Sequence, residues 1–220
     1  MSHYEITDLN RVRRIPDRGQ YDRETVHSIL DASVFCHVGL LEEDQPVIIP
    51  TIHVRVDDTI YLHGATTSRL LRYVGSGRPT CISVTLLDGL VLARSIFQHS
   101  MNYRAVVAFG RGRLIEGDDR KMEALQRFTE RIMPGRWSEA RQPNAQELRA
   151  TAVAAIPIDI ATAKIRTGPP KDEAEDYVLP IWAGVLPLRQ EVLDPIEDMP
   201  AGHPLPYPPS VVEYLAARKT

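Results

Sequence analysis

Residues 47–70 read VIIPTIHVRVDDTIYLHGATTSRL. Apolar and polar residues alternate up to Val56. Ile48, Ile52, Val54 and Val56 fall on one side and Thr51, His53 and Arg55 on the other, which is the period of a strand. Asp57-Asp58 makes a tight turn, and residues 59–63 return as a second strand. A small-residue turn follows. Thr66 or Thr67 then caps a helix whose inner face carries Leu70, Leu71 and Val74 and which Gly75 and Gly77 end.

The pattern extends in both directions. Asp22 caps a helix to about residue 32, with Val26, Ile29 and Leu30 at helical spacing. Residues 33–41 are β-rich and stop at the turn 42–45, so 33–63 reads as a three-stranded meander. Downstream, strands fit 80–87, 90–96 and 103–115. A helix opens at Asp118-Asp119 with Met122, Leu125, Phe128 and Ile132 inward, a short one fits 145–151, and 152–158 and 161–166 read as the last strands. Many short strands with few helices indicate an antiparallel, Greek-key-like β-barrel with α additions and exclude a doubly wound sheet. No G-x-G-x-x-G follows the first strand and no Walker A sequence is present, so a nucleotide would not bind through a Rossmann-type loop.

Three regions follow: an extended arm over 1–20, a barrel domain over 21–190 and a proline-rich tail over 191–220. In the tail, Pro195, Pro200, Pro204, Pro206, Pro208 and Pro209 are expected to leave no room for regular helix, so it should wrap over a surface. The net charge of -3 supplies no global field for nucleic acid or acidic membrane, so an anion site must be local. No stretch reaches the roughly 18 apolar residues of a membrane span, and the polar N-terminus lacks a signal-like apolar run. Cys36 and Cys81 sit in apolar strands as small hydrophobes. The expectation is a cytoplasmic protein without nucleic-acid or membrane partners.

Four segments carry candidate chemistry. His63, Gly64, Ser68 and Arg69 lie where a strand gives way to a helix start, whose free N–H groups and arginine fork suit phosphate, although Thr-Thr-Ser is also ordinary capping. In Pro50, Thr51, Ile52 and His53, proline within a strand marks an edge or bulge whose free backbone can pair with a planar ring. The polar run His99, Ser100, Asn102, Tyr103 and Arg104 joins two apolar strands. Lys164 and Arg166 lead into Thr167-Gly168-Pro169-Pro170 and on to Trp182, which could cover an aromatic ligand or fill a core. His37, His53 and His63 lie on successive strands, but no His-x-His or His-Glu-x-x-His spacing supports a metal site, and none is expected.

In this order the segments resemble the flavin-nucleotide-binding group related to pyridoxamine 5′-phosphate oxidase, which includes proteins similar to the nitroimidazole-resistance reductases. The resemblance runs from about Arg11 to Leu188. It implies an FMN-binding split β-barrel and a homodimer with flavin at the subunit interface. It also implies that Pro50-Thr51-Ile52 runs along the isoalloxazine ring, that His63-Gly64 lies beside it, and that Ser68-Arg69 grips the phosphate. Ser100, Asn102, Tyr103 and Arg104 would reach the site from the partner or the facing sheet. Where the oxidase has a lysine after Ser-Arg, this chain has Leu70. The oxidase's substrate-binding C-terminal motif is not recognisable. The expected function is therefore an FMN-dependent oxidoreductase acting on a small planar molecule, with NADH or NADPH as donor and His99 as a substrate-orienting group or proton donor. The rival readings are a flavin carrier without turnover and a haem-binding split barrel. FMN, FAD and deazaflavin are not distinguished.

Overall fold

A computed structural model describes residues 2–198 and 205–217. Pro200 and Pro204 of the tail lie outside the described residues. The elements run β1 (Gly19–Gln20), α1 (Arg23–Asp31), β2 (Phe35–Glu42), β3 (Gln45–Val56), β4 (Thr59–Ala65), α2 (Arg69–Gly75), β5 (Pro79–Leu92), β6 (Ser100–Arg111) and β7 (Arg113–Leu114). Then follow α3 (Asp118–Ile132), α4 (Arg136–Glu139), α5 (Ala145–Ala150), β8 (Thr151–Pro157), β9 (Ile160–Arg166), β10 (Gly184–Pro187) and α6 (Pro209–Ala217). Every strand pair is antiparallel, in the order β1-β9-β6-β5-β2-β3-β4-β8-β7, with β10 alongside β5. The sheet curls without closing, which is the split β-barrel with α additions.

Inward-facing residues alternate along the strands: Cys36, Val38 and Leu40 on β2, Ile82 and Val84 on β5, Val106 and Ala108 on β6, Ala161 and Ala163 on β9. The apolar face of α1 adds Val26, Ile29 and Leu30 to the same core, and α2 adds Leu70, Leu71, Tyr73 and Val74. Burying such side chains contributes about 1.5–3 kcal/mol each before ordering entropy is charged against it. The Asp22 side chain accepts the Thr25 N–H at 2.8 Å and starts α1. The capping box of Asn144 and Glu147 starts α5.

Several expectations needed correction. Residues 79–92 form one strand, not two. The expected break between 87 and 90 is absent, because a register shift between Leu87 and Gly89 lets β5 continue as a bulge. The expected strand 103–115 begins at Ser100 and breaks at Gly112, where a Cβ would lie 2.2 Å from the Val74 side chain. The cap of α2 is Ser68 rather than Thr66 or Thr67. The tail does hold a helix, α6, because Pro209 occupies its first turn, where no N–H is required. On β3 the apolar set does not share one environment: Val54 is buried beside His53, while Ile48 faces out. Val47 and Ile49 pack on the core, whereas Ile48 is 68% exposed.

Candidate functional site

β3 changes partners midway. Residues 45–52 pair with β2, and His53 to Val56 pair with β4. Among the described strands none takes the second edge of residues 45–52. Pro46 and Pro50 lack the N–H groups a second full ladder would need. Past the His53–Leu62 pair, β4 runs on to Ala65 bonded only to β8. The two strands therefore part, and the backbone of Pro50-Thr51-Ile52 and of His63-Gly64 flanks the resulting split.

His63 stands at this split. Its ring is tilted against Phe128 of α3 with centroids 4.3 Å apart, and its buried Nδ1 has no partner. Burial holds its pKa below the ordinary imidazole value. Beyond it, Ser68 Oγ accepts the Leu71 N–H at 3.5 Å. The next side chain, Arg69, is over half exposed, and among the described residues its guanidinium pairs with Glu42, at 3.4 Å. That loose surface pair leaves the guanidinium available to a stronger anion. His53 differs from the expectation. Its side chain is 1% exposed, and its Nε2 lies 3.0 Å from the Leu30 carbonyl. It cannot line an open pocket, so any ligand contact there runs through its backbone.

The second group of expected residues lies across the long β5–β6 hairpin. Arg166 is 6% exposed and forms no ion pair with a carboxylate among the described residues. It donates to Asn102 Oδ1 and to the carbonyls of Gly168 at 3.2 Å and Pro169 at 3.1 Å. Asn102 Nδ2 also donates to the Gly168 carbonyl at 3.2 Å. Together they pin the Thr167–Pro170 turn, where Gly168 takes a φ of 92°. Burial, with the Arg18 charge nearby, lowers the pKa of Arg166 from the usual guanidinium value. Arg104 makes a two-pronged pair with Asp88 at 2.8 and 2.9 Å. Tyr103 pairs in register with Arg166, Lys164 with Ala105 and Gly19, and Ser100 with Val91. His99 Nδ1 accepts the Ala93 N–H at 3.1 Å, so in the neutral ring the proton sits on Nε2, which can donate outward. Trp182 is 64% exposed and lies over Gly184, where a Cβ would meet its ring at 2.9 Å.

Among the described residues, no hydrogen bond, ion pair or ring contact joins the His63–Arg69 group to the Asn102–Arg166 group within one chain. His37, His53 and His63 do not converge either. His37 stands on the exposed face of β2, His53 points inward and His63 lies under α3. No three His, Cys, Asp or Glu side chains gather as a metal site among the described residues. Two features escaped the sequence reading. Asp172 accepts the Arg94 and Ser95 N–H groups at 2.9 and 3.2 Å and the Arg94 guanidinium at 3.1 Å, tying the segment after β9 to the hairpin tip. A groove of about 740 Å³ also runs over the outer sheet face between Gly39, Cys81 and Phe109. Neither has a local signal, because each joins residues far apart in sequence.

Residues 22–165, well over half the chain, match the family model described as pyridoxamine 5′-phosphate oxidase. The chain belongs to this family. Within the pyridoxamine 5′-phosphate oxidase fold, the flavocytochrome Anf3 from Azotobacter vinelandii is 41% identical with a TM-score of 0.88, over 94% of this chain and 96% of that one. A protein from Mycobacterium smegmatis described as binding FAD and heme is 38% identical with a TM-score of 0.83, over 89% of this chain and 96% of that one. A 5-nitroimidazole antibiotic resistance protein from Bacteroides thetaiotaomicron, 23% identical with a TM-score of 0.56 over 66% of this chain and 84% of that one, shares the fold. No curated protein sequence matches. No helix among the described residues is long and apolar enough to cross a membrane.

Proposed function

We propose that this chain is a flavin-binding redox protein that also carries haem. The carrying observation is its identity of 41% and 38%, over nearly the full length of both partners, to two proteins described as a flavocytochrome and as binding FAD and heme. The dinucleotide FAD is favoured over the FMN expected from sequence, because the second of these relatives is described with FAD. When bound, flavin supplies two-electron and one-electron transfer and haem supplies one-electron transfer, so the protein's task is to hold and orient them.

The residues present fit both groups. A flavin needs a free backbone edge and a phosphate grip. The unpaired edge at Pro50-Thr51-Ile52, the neighbouring His63-Gly64, and Ser68 with the loosely held Arg69 offer these. A haem iron needs a neutral imidazole with a free ring nitrogen. His37 has no hydrogen bond to any described residue, and His63 has an unpartnered Nδ1. The homodimer belongs to this proposal. Ile96 and Phe97, 87% and 90% exposed at the tip of the β5–β6 hairpin, with Trp182 nearby in the segment that Asp172 ties to it, offer an apolar surface for a second copy.

Absorbance and mass spectrometry of the purified protein test the reading. A flavin spectrum with a Soret band, and a released ligand with the mass of FAD, are expected. Flavin without any Soret band, before and after hemin is added, returns the protein to the simpler flavin oxidoreductase with NADH or NADPH and a small planar substrate.

A further inference from the structure

The outer sheet face carries a groove that none of the candidate flavin contacts lines. Residues opposed in an antiparallel ladder share a face. One row crosses from β3 to β9. Ile48 lies opposite Gly39, Gly39 opposite Cys81, Cys81 opposite Phe109, and Phe109 opposite Ile160. The chain neighbours Val38, Ile82 and Ala108 are buried, so this row faces out. Its middle members, Gly39 and Cys81, are small, and Ile48 and Phe109 on either side are large. Three strand spacings set Ile48 and Phe109 about 14 Å apart along the sheet, with a low floor between them. The groove's volume of about 740 Å³ lies inside the usual range for small-ligand sites of roughly 300–1,000 Å³.

The N-terminal arm supplies one wall. Asn10 Nδ2 donates to the Ala161 carbonyl at 3.1 Å, and Thr162 Oγ1 donates to the Asn10 carbonyl. The arm is thereby pinned along β9, and Leu9 is held against the groove. The end beside Pro79 is cationic. Arg78 donates to the Leu41 carbonyl at 2.7 Å and covers the Tyr73 ring at 4.4 Å. Arg111 donates to the Gly77 carbonyl at 2.9 Å. It stands on the same face as Phe109, two residues along β6, or about 7 Å. Neither arginine makes an ion pair with a carboxylate among the described residues. Asp159 is the carboxylate of the lining, and Glu42 and Glu43 stand outside it, beside Arg78. Burial pushes the Cys81 thiol up, so the floor stays uncharged near neutral pH. Two guanidiniums against one carboxylate leave one positive charge unmatched beside an apolar floor.

We infer that this groove binds a flat, apolar monocarboxylate, with its ring over Gly39 and Cys81 and its carboxylate at Arg78 and Arg111. The planar guanidinium fork matches a carboxylate edge, and each arginine is already oriented by a backbone carbonyl. A flat ring can lie on the low floor while Ile48, Phe109 and Leu9 cover its edges. A monoanion matches the one unmatched charge, and a dianion would exceed it. The site needs neither flavin nor haem, so it stands apart from the function proposed above.

Calorimetric titration of the full-length protein with naphthoate, and with its neutral amide naphthamide, tests this. The acid should bind roughly tenfold or more tightly than the amide. Arg78→Gln with Arg111→Gln should weaken naphthoate by roughly ten- to hundredfold and leave naphthamide nearly unchanged. Cys81→Phe raises a large ring from the floor and should abolish binding of both. Circular dichroism and the thermal midpoint show whether each variant folds, and the arginine pair, on the exposed face, decides the matter if Cys81→Phe does not. Equal affinity for acid and amide, or equal weakening of both by the arginine substitutions, would overturn the inference. So would a naphthalene dicarboxylate that binds more tightly than naphthoate, or no binding of naphthoate at millimolar concentration. Naphthoate bound only when dilution yields single chains would mean that a second copy covers the groove, and would overturn it too.

Discussion

Mild acid should destabilise this protein through His53, the residue at which β3 changes partners. Its Nε2 faces the Leu30 carbonyl at 3.0 Å. A carbonyl only accepts, so Nε2 carries the proton and donates. Nδ1 is buried with no partner. A second proton would place an N–H without an acceptor, and a charge, in a site 1% exposed. Burial therefore holds the His53 pKa below the ordinary imidazole value, and the charge of Arg131 pushes the same way. The hydrogen bond to Leu30 and the charge of Asp31 oppose this without reversing it.

The sign follows. In the unfolded chain His53 titrates near about 6.5. Below that pH the unfolded state takes up a proton that the folded state refuses. Stability is fully present above about pH 6.5 and is lost as pH falls, until the depressed folded value is reached. The loss is at most about 1 kcal/mol between roughly pH 6.5 and 5.5, and it stops growing once the depressed folded value is passed. His63, also lowered by burial, adds a second increment of the same sign. The lowered carboxylates Asp22 and Asp58 act only in stronger acid. Urea unfolding at about pH 7.5, 6.5 and 5.5 on the wild type, His53→Gln and His63→Gln measures each share. The His53→Gln protein should start less stable, by about 1–3 kcal/mol if the Leu30 carbonyl is left unpaired, yet lose less on acidification. An unchanged pH slope in His53→Gln would show that His53 is hydrated or charged in the fold, and would refute its inward placement.

Arg69→Ala should weaken FMN or FAD by roughly ten- to hundredfold, from a charge-assisted bond of about 1.5–3 kcal/mol, while leaving riboflavin and flavin-free stability nearly unchanged. Equal losses for phosphorylated and unphosphorylated flavin would remove it from the phosphate site. Gly110→Ala should cost about 1–3 kcal/mol or more in thermal or urea unfolding, because its Cβ would lie 2.0 Å from the Pro157 carbonyl oxygen. An unchanged midpoint would contradict that close approach. Phe97→Asp should convert a two-chain particle to a single chain by light scattering without unfolding it, and a wild type that is already monomeric with flavin bound would dispose of the dimer. Pyridoxamine phosphate should leave the bound flavin oxidised under anaerobic conditions, and its rapid bleaching would mean that the segments after β9 do carry the oxidase's substrate machinery.

What could be read from sequence was local, and what could not was relational. Asp22 before an i, i+3, i+4 apolar run located α1 because the cap and the face are both neighbours in sequence. The hairpin of β3 and β4 was visible because Asp57-Asp58 breaks an alternation that resumes at once; Asp57 takes a φ of 49° there. The same alternation could not say which side faces inward. His53 turns inward because Leu62, across the ladder from it, is a core residue, while Ile48 faces out, and only the pairing register reveals that. Gly89 misled for the same reason. A lone glycine after aspartate suggests a turn, yet here it admits β10, whose Leu186 carbonyl oxygen would lie 3.0 Å from a Cβ at that position. At the candidate site, His63, Gly64, Ser68 and Arg69 could be grouped because all four fall within positions 63–69. Arg166 and Asn102, 64 residues apart, could each be suspected but not recognised as one structural pin. Arg78 and Arg111 carry no signal in the sequence, and only β5 and β6 set them on one groove. A residue whose role depends on its register partner stays silent in the sequence until the sheet is assembled, and in this fold the floor of the groove at Gly39, Cys81 and Phe109 is made of such residues.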